Sequence, residues 1–278
     1  MKIVVTTDGS DRSLRILPHA AALAKATHAE ILLTRVLDAD HDLHGGSIDE
    51  VAARWKEELA GWAEGAGVPL TPVVPVLANG EDVSEAIKRT AVENGAGIIA
   101  MASGGTGALH HALMGSVTMS VVSKGGIPVM VVTDATTLLA TPRPYNLLIT
   151  TDGSENSADV FHQVAPLLEG SSVKVLLLRV YEPRLGDSGD RVEIPAAEAA
   201  LGEIRALLPE SVPVEMRVER VHDFERVESA ILRVASQSGA EAIAISTHGY
   251  SAPHHLLAGS VALAILKKSH LPVILARR

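Results

Sequence analysis

A chain of 278 residues is long enough for two ordinary domains or one large one, and 47% hydrophobic against 21% charged residues marks a folding rather than a disordered sequence. A net charge of -9 with only two Trp, three Tyr and two Phe argues against nucleic-acid and anionic-membrane partners, and the absence of cysteine excludes disulfides, thiolate zinc sites and cysteine nucleophiles. No uninterrupted apolar run reaches the roughly 18 residues of a membrane span, and Met1-Lys2-Ile3 enters a strand pattern without room for a signal peptide, so the expected compartment is the cytoplasm.

From the N-terminus, Ile3-Val4-Val5 reads as a strand and is followed by Asp8-Gly9-Ser10. Leu14, Leu17, Ala21 and Ala24 then repeat at helical spacing, with Pro18 either kinking that helix or delaying its start. Ile31-Leu32-Leu33 is a second strand. Ile48, Val51, Ala52, Trp55, Leu59 and Trp62 make an amphipathic helix opened by a Ser47-x-x-Glu50 capping box. Val73-Val74 is a third strand, Val83, Ile87 and Ala91 a helix closed by Gly95, and Ile98-Ile99 a fourth strand. A helix follows Gly115, and Val129 to Val132 is the fifth strand. Strand alternating with helix predicts an α/β, doubly wound parallel sheet, and the near-continuous apolar strands fit burial on both faces. Pro72, Pro75 and Pro128 cannot donate to a ladder and so place strands three and five at edges, with strand one central beside strand four. Ligands of such sheets bind beyond the carboxyl ends of the strands where the order reverses, here after strands one and four.

The chain then repeats itself. Thr6-Thr7-Asp8-Gly9-Ser10 recurs as Thr150-Thr151-Asp152-Gly153-Ser154, and the same shift of about 144 residues carries Arg35-Val36 onto Arg179-Val180, His110-His111 onto His254-His255, Gly115-Ser116-Val117 onto Gly259-Ser260-Val261, and Pro128-Val129 onto Pro272-Val273. One constant offset over the whole length means two complete domains, 1–134 and 145–278, joined by a linker 135–144 with Pro142 and Pro144.

After strand one, Asp8 and Asp152 read either as acceptors for a ribose hydroxyl or adenine amine, or as Asp-Gly turns whose serines cap the next helix. After strand four, Ala102-Ser103-Gly104-Gly105 leads through nine residues to Gly115-Ser116-Val117-Thr118, and Ser246-Thr247-His248-Gly249 through nine to Gly259-Ser260-Val261-Ala262. Small residues let a ligand approach the backbone, and Gly-Ser at a helix start offers amides and a hydroxyl to an anion. Twice in register with the aspartates, the pattern favours a nucleotide site. Neither 106–114 nor 250–258 contains Lys or Arg, leaving backbone amides, hydroxyls, a divalent cation and the paired histidines to meet phosphate. His41 and His44 among Asp38, Asp40 and Asp42 read as an acidic solvated loop, with a weak metal cluster as the other reading. No P-loop, dinucleotide fingerprint or nucleophile elbow occurs, and no catalytic residue is identified.

These tandem Thr-x-Asp-Gly-Ser segments, the small-x-x-Gly-x9-Gly-Ser-Val segments and the closing Pro-Val strands resemble the universal stress protein family over essentially the entire chain, twice. The resemblance implies two tandem five-stranded sheets of order 3-2-1-4-5, an adenine nucleotide alpha hydrolase-like fold, pairing through their fifth strands. It implies that the first-strand Asp and the end of strand two hold adenosine, and that the glycine-containing segments hold ribose and phosphates. Residue by residue this selects Asp8, Val36, Met101, Ala102, Gly105, Gly115, Ser116, Val117 and Thr118, and in the second copy Asp152, Val180, Ile245, Ser246, Gly249, Gly259, Ser260 and Val261. The implied ligand is ATP, with Mg2+ as companion and AMP or ADP as other occupants. The implied role is that of a cytoplasmic stress-response regulator, a homodimer with a protein partner, in which occupancy orders the loops 105–115 and 249–259. Alternatives are a slow ATPase or self-phosphorylating enzyme with Ser116, Thr118 or Ser260 near the phosphates, and an AMP-, cyclic-nucleotide- or nucleotide-independent scaffold. The sequence departs from the family pattern at Ala102 and Ser246, where glycine is usual, at Thr6 and Thr150, where proline is frequent, and at Ala262, where copy one keeps Thr118.

Overall fold

The computed structural model describes residues 1–63, 65–103, 114–137, 145–182, 190–222, 224–247 and 259–278. Its first half runs β1 (Lys2–Thr6), α1 (Asp11–Leu14), α2 (Leu17–Thr27), β2 (Glu30–Thr34), α3 (Ala39–Asp42), α4 (Ile48–Ala63), β3 (Leu70–Val73), α5 (Val83–Glu93), β4 (Ala96–Ala102), α6 (Ser116–Ser123) and β5 (Val129–Val132). The second runs β6 (Asn146–Thr151), a 3-10 turn at Asn156–Ala158, α7 (Asp159–Leu168), β7 (Lys174–Tyr181), α8 (Asp190–Arg205), β8 (Val214–Arg220), α9 (Val227–Gln237), β9 (Ala242–Ser246), α10 (Ser260–Lys268) and β10 (Val273–Ala276). Among the described residues no helix is long and apolar enough to cross a membrane.

Local rules explain the helix starts. Pro18 sits in the first turn of α2, where its missing amide costs nothing, so the helix starts late instead of kinking. Ser47 and Glu50 exchange bonds at the head of α4, the Ser47 amide donating to Glu50 Oε2 at 2.9 Å and the Glu50 amide to Ser47 Oγ at 3.3 Å. Asp82 and Glu85 form a second such box on α5, which the hydrophobic spacing alone does not reveal.

The ten strands form one sheet in the order β3-β2-β1-β4-β5-β10-β9-β6-β7-β8. Each half therefore carries the 3-2-1-4-5 order, and the two five-strand sheets are continuous rather than separate. The join is β5 against β10, antiparallel, with Met130 opposite Ile274; the other strand neighbours are parallel. The proline reasoning thus holds for β3, an edge with Pro72 inside it, while β5 is an edge only of its own half. Pro75 falls beyond β3, where its carbonyl accepts from the Leu37 amide at 2.8 Å. Pro128, Pro213 and Pro272 each stand just before a strand and use only their carbonyls, accepting from Ile99, Val175 and Ile243.

Side chains alternate across the sheet, so each strand feeds two cores. Ile3, Val5, Ile31 and Leu33 pack with Leu23 of α2 and with Val160, Phe161 and Val164 of α7. Val4, Leu32, Ile99 and Met101 pack with Ile87 of α5, Val121 of α6, Ile231 of α9 and Ile265 of α10. Truncating a fully buried anchor such as Phe161 to alanine costs about 3–5 kcal/mol. The second of these cores underlies the candidate site.

Candidate functional site

Asp8 and Asp152 follow the first strand of each half and adopt the turn geometry that the Asp-Gly-Ser spacing allows. Asp8 Oδ1 accepts from the Ser10 amide at 3.0 Å and from Ser10 Oγ at 2.6 Å. Ser10 Oγ in turn accepts from the Ser13 amide at 3.2 Å, capping α1, and Ser13 Oγ lies 2.6 Å from Thr7 Oγ1. The second copy reproduces this: Asp152 Oδ1 accepts from Ser154 at 3.0 and 2.6 Å, and Thr151 Oγ1 lies 2.7 Å from Ser157 Oγ. The capping role and a ligand role are compatible, since both carboxylates remain exposed. Partial burial raises the Asp8 carboxyl, but its bonds from Ser10 and Ser13 outweigh this and hold it below its ordinary range, hence ionised at neutral pH.

Both turns need glycine. Gly9 has φ +88°, and a Cβ there would lie 2.8 Å from Arg35 Nη1; Gly153 has φ +80°, and its Cβ would lie 2.9 Å from Arg179 Nη1. Arg35 is held by Trp55, 3.7 Å from its ring centroid, and by Glu58 at 3.1 Å, so a residue beyond β2 buttresses the turn beyond β1.

Below Asp8 lies an apolar floor. Val36 and Val117, both partly buried, pack into the same cluster as Met101 and the fully buried Met114. Val180, Ile245 and Val261 occupy that same face in the second half. Ala102 ends β4, its carbonyl 3.5 Å from Thr118 Oγ1, and Ser246 ends β9 with its Oγ donating to the Asn156 carbonyl at 2.7 Å.

Beside that floor stand two helix N-termini. Gly115 and Gly259 are extended N-cap residues, and among the described residues no side chain caps either helix. The first-turn amides of Ser116, Val117 and Thr118, and of Ser260, Val261 and Ala262, are therefore available to an anion, with the helix dipole reinforcing them. Gly259 itself is not available, because its amide donates to the Thr247 carbonyl at 2.5 Å. Ser116 and Ser260 are exposed, whereas Thr118 is buried.

Gly105, Gly249, His110-His111 and His254-His255 lie outside the described residues. In the acidic loop, His41 Nδ1 is 2.8 Å from Asp38 Oδ2, and Asp42 Oδ2 accepts from the Asp38 amide at 2.7 Å, so these groups satisfy one another around α3. The Asp38 bond holds His41 above its ordinary pKa. Sequence reasoning missed Met114, which lacks a counterpart motif, and the arginines. Arg35 had a signal, being repeated as Arg179 beside the selected valines; Arg12, paired with Asp134, had none.

Comparison with known proteins follows the same division of the chain. The profile of the universal stress protein family matches residues 1–133 and again 145–277. A universal stress protein of Mycobacterium tuberculosis is 30% identical over 196 residues, 67% of this chain; the matched stretch spans 64% of that relative's length. A universal stress protein structure from Archaeoglobus fulgidus superimposes with TM-score 0.68 at 20% identity, covering 100% of this chain and 98% of that one. A putative universal stress protein structure from Pseudomonas aeruginosa gives TM-score 0.61 at 16% identity over 99% and 92% of the two chains. At these identities the structural likeness speaks for the fold.

Proposed function

Given that the chain belongs to the universal stress protein family in both of its halves, we propose that it is an adenine-nucleotide-binding regulatory protein whose occupancy by ATP changes what it presents to a protein partner. The observation that carries the reading is a twice-built constellation: an exposed aspartate, ionised at Asp8, an apolar floor and an uncapped helix N-terminus at the carboxyl ends of the first, second and fourth strands. In copy one, the floor of Val36, Met101 and Val117 suits a flat base, Asp8 can accept from its amine or from ribose hydroxyls, and the Ser116–Thr118 amides suit phosphate. In copy two, Asp152, Val180, Ile245, Ser246, Ser260 and Val261 would take the same parts. Binding that favours one conformation over another couples ligand to partner without chemistry. In the self-phosphorylating alternative, the exposed Ser116 and Ser260 are better acceptors than buried Thr118.

The test is to purify the protein without added nucleotide, identify what co-purifies by mass spectrometry, and measure thermal shifts with ATP, ADP, AMP and cyclic AMP. Retained ATP, or a shift with ATP that Gly115→Leu or Gly259→Leu removes at its own copy, supports the reading. An empty protein that shifts with none of the four refutes it, and phosphate release under turnover would move it to the ATPase alternative.

A further inference from the structure

The glycine segments bring no lysine or arginine, yet the first copy gathers cations from elsewhere. Arg12 donates from Nε to Asp134 Oδ1 at 3.1 Å and from Nη2 to Asp134 Oδ2. Arg15 donates from Nη1 to the same Oδ1 at 3.2 Å and from Nη2 to the Thr136 carbonyl at 2.8 Å. Two guanidinium groups thus converge on one carboxylate, leaving one positive charge in excess.

Their place in the fold puts them beside the candidate site. The Ser103 amide donates to the Val132 carbonyl at 2.7 Å, so Asp134 stands two residues from where the chain leaves β4. The second copy shows how close the α1 segment comes: Asn156, the counterpart of Arg12, accepts through its carbonyl from Ser246, the counterpart of Ala102. Arg12 therefore borders the end of β4, on whose other side the Ala102 carbonyl lies 3.5 Å from Thr118 at the start of α6.

We propose that Arg12 is the residue of the first copy that reads the phosphate charge of a bound nucleotide, exchanging Asp134 for phosphate oxygens. This rests on the nucleotide reading above and deepens it. The exchange is easy because the Arg12 and Asp134 side chains are 41% and 64% exposed, and exposed pairs are weak. It also strands nothing, because Arg15 keeps Asp134 paired. At the corresponding positions the second copy has Asn156 for Arg12, Asp159 for Arg15 and Arg278 for Asp134, which removes the excess positive charge. The first copy is accordingly the one that discriminates ATP from AMP and adenosine.

Calorimetric titration of the full chain with ATP, AMP and adenosine tests this in wild type, Arg12→Ala, Arg12→Lys and Asp134→Ala, each checked for unchanged thermal unfolding. Arg12→Ala should weaken ATP roughly tenfold or more at the first copy, the worth of a charge-assisted hydrogen bond, while adenosine stays within about twofold. Arg12→Lys should recover part of the loss, and Asp134→Ala should strengthen ATP by removing the competing carboxylate. Equal weakening of ATP and adenosine, no change in either, or weaker ATP binding in Asp134→Ala overturns the assignment of Arg12 while leaving the nucleotide site standing. Wild type that binds neither nucleotide nor adenosine overturns the nucleotide reading and this inference with it.

Discussion

Replacing Gly9 and Gly153 by alanine tests the buttressed turns, because the two copies share the backbone strain and differ in what lies behind it. Each glycine has a positive φ, which costs an L-residue roughly 1–2 kcal/mol. Each new Cβ would also fall within 3 Å of an arginine Nη1, so the guanidinium must move. In copy one that motion withdraws Arg35 from Trp55, roughly 0.5–1 kcal/mol, and from Glu58, roughly 0.2–1 kcal/mol. In copy two, α8 carries Ala197 at the buried position that Trp55 holds in α4, so among the described residues Arg179 has no such aromatic platform to lose. Gly9→Ala should therefore cost about 2–4 kcal/mol and Gly153→Ala about 1–2 kcal/mol. Urea denaturation followed by tryptophan fluorescence, which reports on the first copy because both tryptophans lie in α4, and by far-ultraviolet circular dichroism reads both variants. Measured against Arg35→Ala instead of wild type, Gly9→Ala should cost only what Gly153→Ala does, because the Trp55 and Glu58 contacts are already gone. If Gly153→Ala costs as much as Gly9→Ala, or Arg35→Ala gives no relief, the arginine is not what confines the turn.

His19 is 2% exposed with Nδ1 unpartnered; burial first, and Arg15 second, push its pKa down to about 4. The stability it carries is complete above about pH 6.5 and is lost as pH falls toward 4, up to about 3 kcal/mol, so denaturation of His19→Gln, which copies Gln163 from the second half, should show a flatter profile over that window. Tyr145 is buried with its hydroxyl unpartnered, and Tyr145→Phe should raise the melting temperature by about 2–4 °C; a fall would mean the hydroxyl has a partner. Glu81 is held near pKa 2, chiefly by Arg89 and then by the Ala78 amide. Its stabilisation is present above about pH 4.5 and lost toward pH 2, so the difference in stability between Arg89→Ala and wild type should close on acidification.

Much of the fold was readable because its determinants are local. The apolar runs at Ile3, Ile31, Ile98 and Val129 lie inside β1, β2, β4 and β5, and Ser47, Pro18 and Gly115 start their helices by rules that span a few residues. The third strand was read late, at Val73-Val74, because Leu70-Thr71-Pro72 belongs to an edge whose outward residues need not be apolar. The join of β5 to β10 was expected from the family resemblance, which implies pairing through the fifth strands, and not from the residues of either half, since an unpaired β5 by itself says nothing of which edge it will meet. The same limit applies at the site: the Asp8 turn is written in consecutive residues, whereas Arg12 meets Asp134 across 122 positions and Arg35 meets Glu58 across 23.

The antiparallel join of β5 to β10 sets the directions in which the two halves face. Every other neighbouring pair is parallel, so the strands of the first half all end at one rim of the sheet and those of the second half at the opposite rim. Asp8 and Asp152 consequently look outward in opposite directions. The two sites proposed above therefore do not share one small ligand. Movement in one half reaches the other through the ladder at Met130 and Ile274 and through α7, whose Val160, Phe161 and Val164 share a core with Ile3 and Val5, so the two halves are joined by backbone and packing alike.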